Sequence, residues 1–539
     1  MSYEGYHLSV LNTIWNYGDR IALIDPDSDK RLTFRDVYSL SYAVANGLKS
    51  LGIRKGDVLV QCMYNGMHSP VVFLGTAITG AICSGVNPSA TSEELSKQIK
   101  DSNAKYIIAS TAAVANVLKA VEQFGNQVKK VIVVDDGEGE PWTDLKGICT
   151  GYDELLASRP TFTTDVPIEP DDVVLLPYSS GTTGHPKGVM LTHANLISLT
   201  EMTSPIREKV LPLLDIPDNF MDIPQLVLVP FYHMTGFNAL MSSMRSGSPC
   251  VPIRKFIPEQ YLSLIQRHKP ISLYCVPPLV VFLTKSPLTH KYDLSSVQVV
   301  TCGGASLGKE LSKEFVDKFP SMRILMQGYG MTETTLTSHM TPPVLREEIR
   351  HGSIGQVLEG VDSQLVDPDT GLVVSKPFTP GEIWIRSRMV MKGYYNKPDI
   401  TKSTVDEHGW LHTGDIAYFD DEGYYYIVDR IKELIKVKGL QVAPAELEDL
   451  LMSHPSIADA AVVGIPDERA GEVPRAFVVR RSNATVSIEQ LNTYINDRVA
   501  PYKRLVGGIR FLDAIPKSPS GKILRRVLKD YDQSKQSKL

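Results

Sequence analysis

Short apolar runs alternate with helical patterns through the first four-fifths of this chain, and that alternation restricts it to a layered α/β architecture. Val173–Leu176, Gln225–Val229 and Val297–Cys302 read as strands. Behind the last of them Leu307, Leu311, Phe315 and Phe319 recur every four residues, the period of a helix with one apolar face, and Ser306 stands where an N-cap would. From Gly409 to Val428 the pattern becomes a hairpin, with Asp421-Glu422-Gly423 as its turn and Tyr424, Tyr426 and Val428 alternating. After Asp429-Arg430 comes a compact segment with a helix at Glu446–Met452 and strands at Asp459–Val463 and Arg475–Val479. A second helix there opens with the capping box Ser487-Ile488-Glu489-Gln490, flanked by the staple pair Val486 and Leu491. Roughly a hundred residues suffice for a separate small α+β domain. The expected division is a large N-terminal domain of sheets and helices over residues 1–429 and a smaller α+β domain over 430–539.

With 539 residues, 43% of them hydrophobic, the chain can bury more than one core. A net charge of −5 gives no electrostatic reason to expect nucleic acid or an anionic membrane as partner, so a small molecule is the expected ligand. The six cysteines lie far apart with no CxxC pair, which signals neither a zinc site nor a disulfide framework. Between Asp57 and Glu93 no side chain is acidic or basic apart from His68, but glycines, Asn87 and Pro88 interrupt the stretch. A spanning helix needs about 20 mostly apolar residues, so a buried helix and strand are expected instead. The last three residues, Ser537-Lys538-Leu539, match the tripeptide read by the peroxisomal import receptor, and the expected location is the peroxisome.

The segment Tyr178-Ser179-Ser180-Gly181-Thr182-Thr183-Gly184-His185-Pro186-Lys187-Gly188 carries the most chemistry. It follows a strand and concentrates hydroxyls, glycines and one lysine, the means by which a backbone cradles phosphate. A Walker A loop would place glycine before the lysine and Ser or Thr after it, whereas Pro186 and Gly188 stand there. No GxGxxG follows any strand, so a dinucleotide fold has no support either.

This segment resembles the signature of the adenylate-forming superfamily: acyl-CoA synthetases, 4-coumarate:CoA ligases, beetle luciferases and peptide-synthetase adenylation domains. Similar motifs follow in the family's order at Gly303-Gly304-Ala305, Tyr329-Gly330-Met331-Thr332-Glu333, Thr413-Gly414-Asp415, Asp429-Arg430-Ile431-Lys432-Glu433-Leu434-Ile435-Lys436 and Pro516-Lys517-Ser518-Pro519-Ser520-Gly521-Lys522. The likeness covers essentially the whole chain. It implies an ATP-dependent acid:CoA ligase that makes an acyl-adenylate, releases pyrophosphate and passes the acyl group to coenzyme A.

The resemblance also assigns roles. Ser179 through Gly184 and Lys187 would hold phosphates, Thr332 would bind the α-phosphate, Glu333 would hold Mg²⁺, and Lys522 would drive adenylation. Tyr329 would stack on adenine beside Gly303, Gly304, Ala305, Gln327, Gly328, Gly330 and Ile427. Asp415 would accept the ribose hydroxyls, with Arg430 next to them. Lys432 matches the hinge about which the family's small domain rotates, bringing Lys436, Gly439, Leu440 and Gln441 to the adenylate for thioester formation. His233 matches a histidine between acyl pocket and CoA tunnel.

By comparison with relatives, the acid should lie among Tyr232, His233, Phe237, Ala239, Cys302, Met331, Leu336 and Thr337, which implies a hydrophobic aliphatic or aromatic substrate. The rival reading is a luciferase-like monooxygenase acting through an adenylate. Luciferases carry His-His-Gly-Phe where Tyr232-His233-Met234-Thr235 stands, and Ser-Ala where Leu336-Thr337 stands. A binding protein without catalysis would be expected to lack Lys522 or Glu333, and both are present.

Overall fold

The computed structural model describes residues 4–136, 147–157, 162, 166–179, 186–305, 307–438, 440–467, 469–481, 484–518 and 521–536. Among them two nine-stranded sheets form the large domain. In the first, Ile324–Tyr329, Val299–Cys302, Ser272–Cys275, Gln225–Val227, Cys250–Pro252 and Ile21–Ile24 run parallel in that spatial order. Parallel strands need both faces covered, which explains why they read as continuous apolar runs. Ligands of such sheets gather at the carboxyl ends of the strands. Those ends here deliver Cys302-Gly303-Gly304 and Tyr329-Gly330-Met331 side by side, with Cys302 paired to Gln327.

The second sheet has a parallel centre of Val173–Leu175, Ile82–Gly85, Val58–Cys62, Tyr106–Ser110 and Lys130–Val134. Lys187–Thr192 joins it antiparallel to Val173–Leu175 and to the short strand Tyr178–Ser179. Ser179 faces Lys187 in that pairing, so the two residues close the base of the glycine-rich loop. Ser180, Gly181, Thr182, Thr183, Gly184 and His185 lie outside the described residues.

Helices Tyr6–Tyr17, Phe34–Ser50, His68–Ile78 and Met234–Ser246 share one core with strands of both sheets, including Leu23 and Val227 from the first and Leu59 and Val189 from the second. The stretch between Asp57 and Glu93, in which His68 alone is basic and none is acidic, is thus the buried strand, helix and strand expected of it, and among the described residues no helix is long and apolar enough to cross a membrane. The helix expected behind Ser306 spans Lys309–Lys318 with Gly308 at its N-cap. Ser306 itself lies outside the described residues. Leu307 and Phe315 are buried, as their spacing requires, with Leu311 and Phe319 packed against the same cluster.

A five-stranded antiparallel sheet contains the expected hairpin, Leu411–Phe419 with Tyr425–Arg430, turned at Gly423. Beyond Arg430 a separate five-stranded sheet forms from Leu440–Val442, Ile435–Val437, Gly471–Arg480, Ile457–Asp467 and Ile509–Phe511. Helix Pro444–Met452 covers it, and helix Ile488–Asn496 starts with the capping box at Ser487 and Gln490. Val486 and Leu491 sit in this small domain's own core.

Candidate active site

A cavity of about 1710 Å³ opens between the two domains. Its walls include Ser179, Lys187, Gly303, Gly304, Gly328, Gly330, Thr332, Glu333, Arg430 and Lys522, together with His233. Residues more than 300 positions apart in sequence are brought together here because strand ends from the first sheet, the hairpin base of the second and the small domain all meet at this point.

Glu333 is at the centre. It is 3% exposed, and its Oε1 accepts from Ser179 Oγ at 2.8 Å and from the Tyr394 hydroxyl at 2.9 Å. The peptide around it is fixed by Met391 N–H, which donates to the Glu333 carbonyl at 2.8 Å. Thr335 adopts φ +63°, a left-handed conformation that a β-branched side chain resists, and its hydroxyl donates to the Met389 carbonyl. Gly330 cannot be replaced here, since a β-carbon would sit 1.7 Å from the Leu336 carbonyl oxygen. Backbone and neighbours therefore hold this turn in one arrangement.

Cations surround that carboxylate. Lys187 is buried, its Nζ lies 5.0 Å from the Tyr394 ring centroid, and burial lowers its pKa against the opposing pull of Glu333. Lys522 is brought down to about 8, first by burial and then by Arg430, with Glu433, Asp415 and Glu333 acting the other way. Its turn is held by Ser518, whose Oγ accepts from the Lys522 N–H at 3.1 Å and whose own N–H donates to the Lys522 carbonyl at 2.8 Å. Gly521 in the same turn packs on the large domain, where an added β-carbon would lie 2.7 Å from Pro278 Cδ. A concentration of desolvated ammonium groups over a cavity is a receptor for phosphate oxygens.

Tyr329, Asp415, Gln327, Ala305 and Ile427 are not among the residues that line the cavity. Tyr329 donates to Asp415 Oδ2 at 2.7 Å while Arg430 Nε lies 3.1 Å from Asp415 Oδ1, so both carboxylate oxygens already have protein partners. Gln327 N–H donates to Thr341 Oγ1 at 3.0 Å, which fixes the strand leading to Tyr329. His233 lines the cavity with Nε2 buried and, among the described residues, without a hydrogen-bond partner, and burial lowers its pKa to about 4, which favours the neutral ring.

The residues expected to serve the second step are elsewhere. Lys436 and Gln441 pair across a hairpin of the small domain, exposed, with Leu440 half exposed, and none of the three lines the cavity. Gly439 lies outside the described residues. Lys522 is at the cavity and Lys436 is not.

Two expected acyl-wall residues are corrected. Phe237 and Ala239 point away from this cavity into the core, Phe237 edge-on to Phe73 at 4.7 Å, because on helix Met234–Ser246 they fall on the buried face. Asn238, Ser242 and Arg245 take their place. Tyr232, Cys302, Met331, Leu336 and Thr337 do line it.

Three contributors had gone unread. Tyr394 supports Glu333 and covers Lys187, yet nothing in Gly393-Tyr394 signals it. Arg525 joins Glu433 at 2.8 Å to Glu448 and to the Val462 carbonyl, which anchors the segment just after Lys522. Asp429 caps helix Pro444–Met452 by accepting from Ala445 N–H at 3.0 Å, and burial raises its pKa to about 6.

Comparison with known proteins agrees with this geometry. The model for AMP-binding enzymes matches residues 12–395, and that for the AMP-binding enzyme C-terminal domain matches residues 446–522. A 4-coumarate–CoA ligase of Solanum tuberosum is 41% identical over 97% of this chain and 93% of its own. An anthranilate CoA ligase bound to anthranoyl-AMP shares the fold with a TM-score of 0.88 at 24% identity, over 100% of this chain and 99% of that one. An o-succinylbenzoate CoA synthetase of Bacillus subtilis, in complex with its acyl-adenylate intermediate, aligns with a TM-score of 0.79 at 27% identity over 98% of each chain. The chain belongs to the AMP-binding enzyme family, the adenylate-forming enzymes.

Proposed function

We propose that the protein is an ATP-dependent acid:CoA ligase, and that the observation supporting this best is the convergence of Lys522 and Glu333 on one cavity that also contains His233. A carboxylate attacks the α-phosphorus, the bond to the β-phosphate oxygen breaks, and pyrophosphate leaves. Both reactants are anions, so the barrier falls chiefly through cations placed in advance. Lys522 faces the transferring phosphoryl as a mobile point charge. Lys187 and the hydroxyl-rich loop beside it hold the departing phosphates, and Thr332 orients the α-phosphate. Neutral His233 borders the acid without adding charge.

Glu333 suits magnesium. Among the described residues no group of three or more His, Cys, Asp and Glu side chains is placed to hold a metal, whereas Mg²⁺ ordinarily takes one or two carboxylates plus substrate phosphates and water. Glu333, buried and hydrogen-bonded through one oxygen, offers one such carboxylate. The ion would neutralise phosphate charge.

In the second step a CoA thiol, losing its proton, attacks the acyl carbon and AMP leaves. The small domain then turns about Lys432, withdraws Lys522 and brings Lys436, Gly439, Leu440 and Gln441 to the adenylate. We further propose that Ser537-Lys538-Leu539 addresses the chain to peroxisomes, where a fluorescent fusion lacking those residues should remain in the cytosol.

The test of the main reading is acid-dependent pyrophosphate release followed by a CoA chase. Acyl-adenylate that accumulates without CoA and is converted to thioester on its addition supports the ligase. Pyrophosphate release indifferent to every acid, or light emission with luciferin and oxygen in place of thioester, refutes it.

A further inference from the structure

Helix Met234–Ser246 begins at His233 and forms one wall of the acyl channel. Phe237, Leu240, Met241 and Met244 bury one face in the core. On the other face Asn238, Ser242 and Arg245 follow one another at spacings of four and three, which aligns them along a single line, and all three line the cavity. A channel for hydrocarbon alone would carry apolar side chains at that spacing, because a polar group that faces hydrocarbon loses its water without compensation.

The far end of that line is more polar still. Tyr274, from strand Ser272–Cys275, lines the same cavity close to Ser242, and the charges of Arg207 and Arg245 act on it. The Arg245 guanidinium donates to Thr200 Oγ1 and lies close to the Tyr6 side chain, and the Tyr17 hydroxyl donates to the Arg245 carbonyl at 2.6 Å. Among the described residues Arg245 forms no salt bridge with a carboxylate, Glu208 on the same cavity included. A partly buried guanidinium whose protein partners are neutral retains its capacity for a bidentate anion.

We infer that the substrate of the proposed ligase is a bifunctional acid: its reacting carboxylate lies near His233 and Thr332, and its tail ends in an oxygen acceptor, best a second carboxylate, received by Arg245, Ser242 and Tyr274. The helix rises roughly 18 Å between His233 and Arg245, so the tail is of medium length or longer. This rests on the ligase reading and narrows it. A site built to hydrogen-bond a polar group discriminates strongly against the analogue that lacks it.

The experiment compares kcat/KM for dodecanedioate, its ω-hydroxylated monoacid and dodecanoate, by acyl-CoA product, in the wild type, in Arg245→Met and in Ser242→Ala. The wild type should favour dodecanedioate over dodecanoate at least roughly tenfold, with the hydroxy acid between them. Arg245→Met should bring that ratio to one or below, chiefly through KM for the diacid, and Ser242→Ala should lower the hydroxy acid more than dodecanoate. Preference of the wild type for dodecanoate overturns the inference, and so does an Arg245→Met enzyme that loses all three acids in equal proportion. Should Arg245→Met not fold, the wild-type ratio and Ser242→Ala decide. Turnover of dodecanoate without preference sinks only the bifunctional substrate; failure of every acid to release pyrophosphate sinks the ligase with it.

Discussion

Asp449 of the small domain occupies the space in which a side chain on Gly308 of the large domain would begin: a β-carbon there would lie 2.2 Å from its Oδ1 and 2.9 Å from its Oδ2. Gly308 has φ −57°, a conformation open to any residue, so only this contact between domains demands glycine. Gly308→Ala should therefore oppose the arrangement that seats Lys522 while leaving the rotated one alone. Overpacking of this kind costs on the order of 1–3 kcal/mol, or roughly five- to 150-fold in adenylation rate. Thioester formation from supplied acyl-adenylate should be unaffected, and a second change, Asp449→Gly, should restore adenylation. Stopped-flow assays of each half-reaction separate these outcomes.

The acidity of Lys522 predicts a pH limb. Burial and Arg430 bring it to about 8 in the ATP-free protein, and the charged form is the one that meets phosphate, so kcat/KM for ATP should fall as pH rises through 8. Lys522→Arg, which stays charged, should be slower but flat across that range. The same group binds more protons unfolded than folded between about 8 and its ordinary 10.5, so its contribution to unfolding free energy rises with pH there. A pH series of initial rates tests the limb.

Tyr329→Phe removes the donor to Asp415 Oδ2 and leaves a buried carboxylate with Arg430 alone. Loss of a hydrogen bond to a charged group costs about 1.5–3 kcal/mol. If Asp415 is to present its oxygens to ribose in a fixed direction, ATP affinity should drop roughly tenfold, which isothermal titration with a non-hydrolysable analogue would measure.

Chelation of magnesium should abolish pyrophosphate release, and Glu333→Gln should raise the magnesium concentration needed for half-maximal rate. The amide retains an acceptor for Ser179 and Tyr394, so thermal unfolding should change little while the metal dependence shifts.

The legible part of this protein was the part encoded locally. Hairpin turn and capping box each carry their own chemistry within a few residues, and Gly423 and Ser487 stand where that chemistry places them. Contacts made by distant segments left no such trace. Arg525 and Glu433 are far apart in sequence, and Tyr394 meets Glu333 only because Met391 docks on the same turn. Helix phase explains the error in the acyl wall: Phe237 and Ala239 are near His233 in sequence, but about 100° per residue turns them to the core and turns Asn238 to the channel. The helix start was misplaced at Ser306 because a good capping side chain is a stronger local signal than Gly308, whose reason lies in the other domain.

The most direct test is a rapid-quench comparison of Lys522→Ala and Lys436→Ala, each given either acid with ATP or ready-made acyl-adenylate with CoA. The account predicts that Lys522→Ala loses adenylation by several hundredfold yet forms thioester at close to the wild-type rate, and that Lys436→Ala shows the reverse, a scale typical for one charged group at a reacting phosphate. Equal losses by both enzymes in both half-reactions would contradict it.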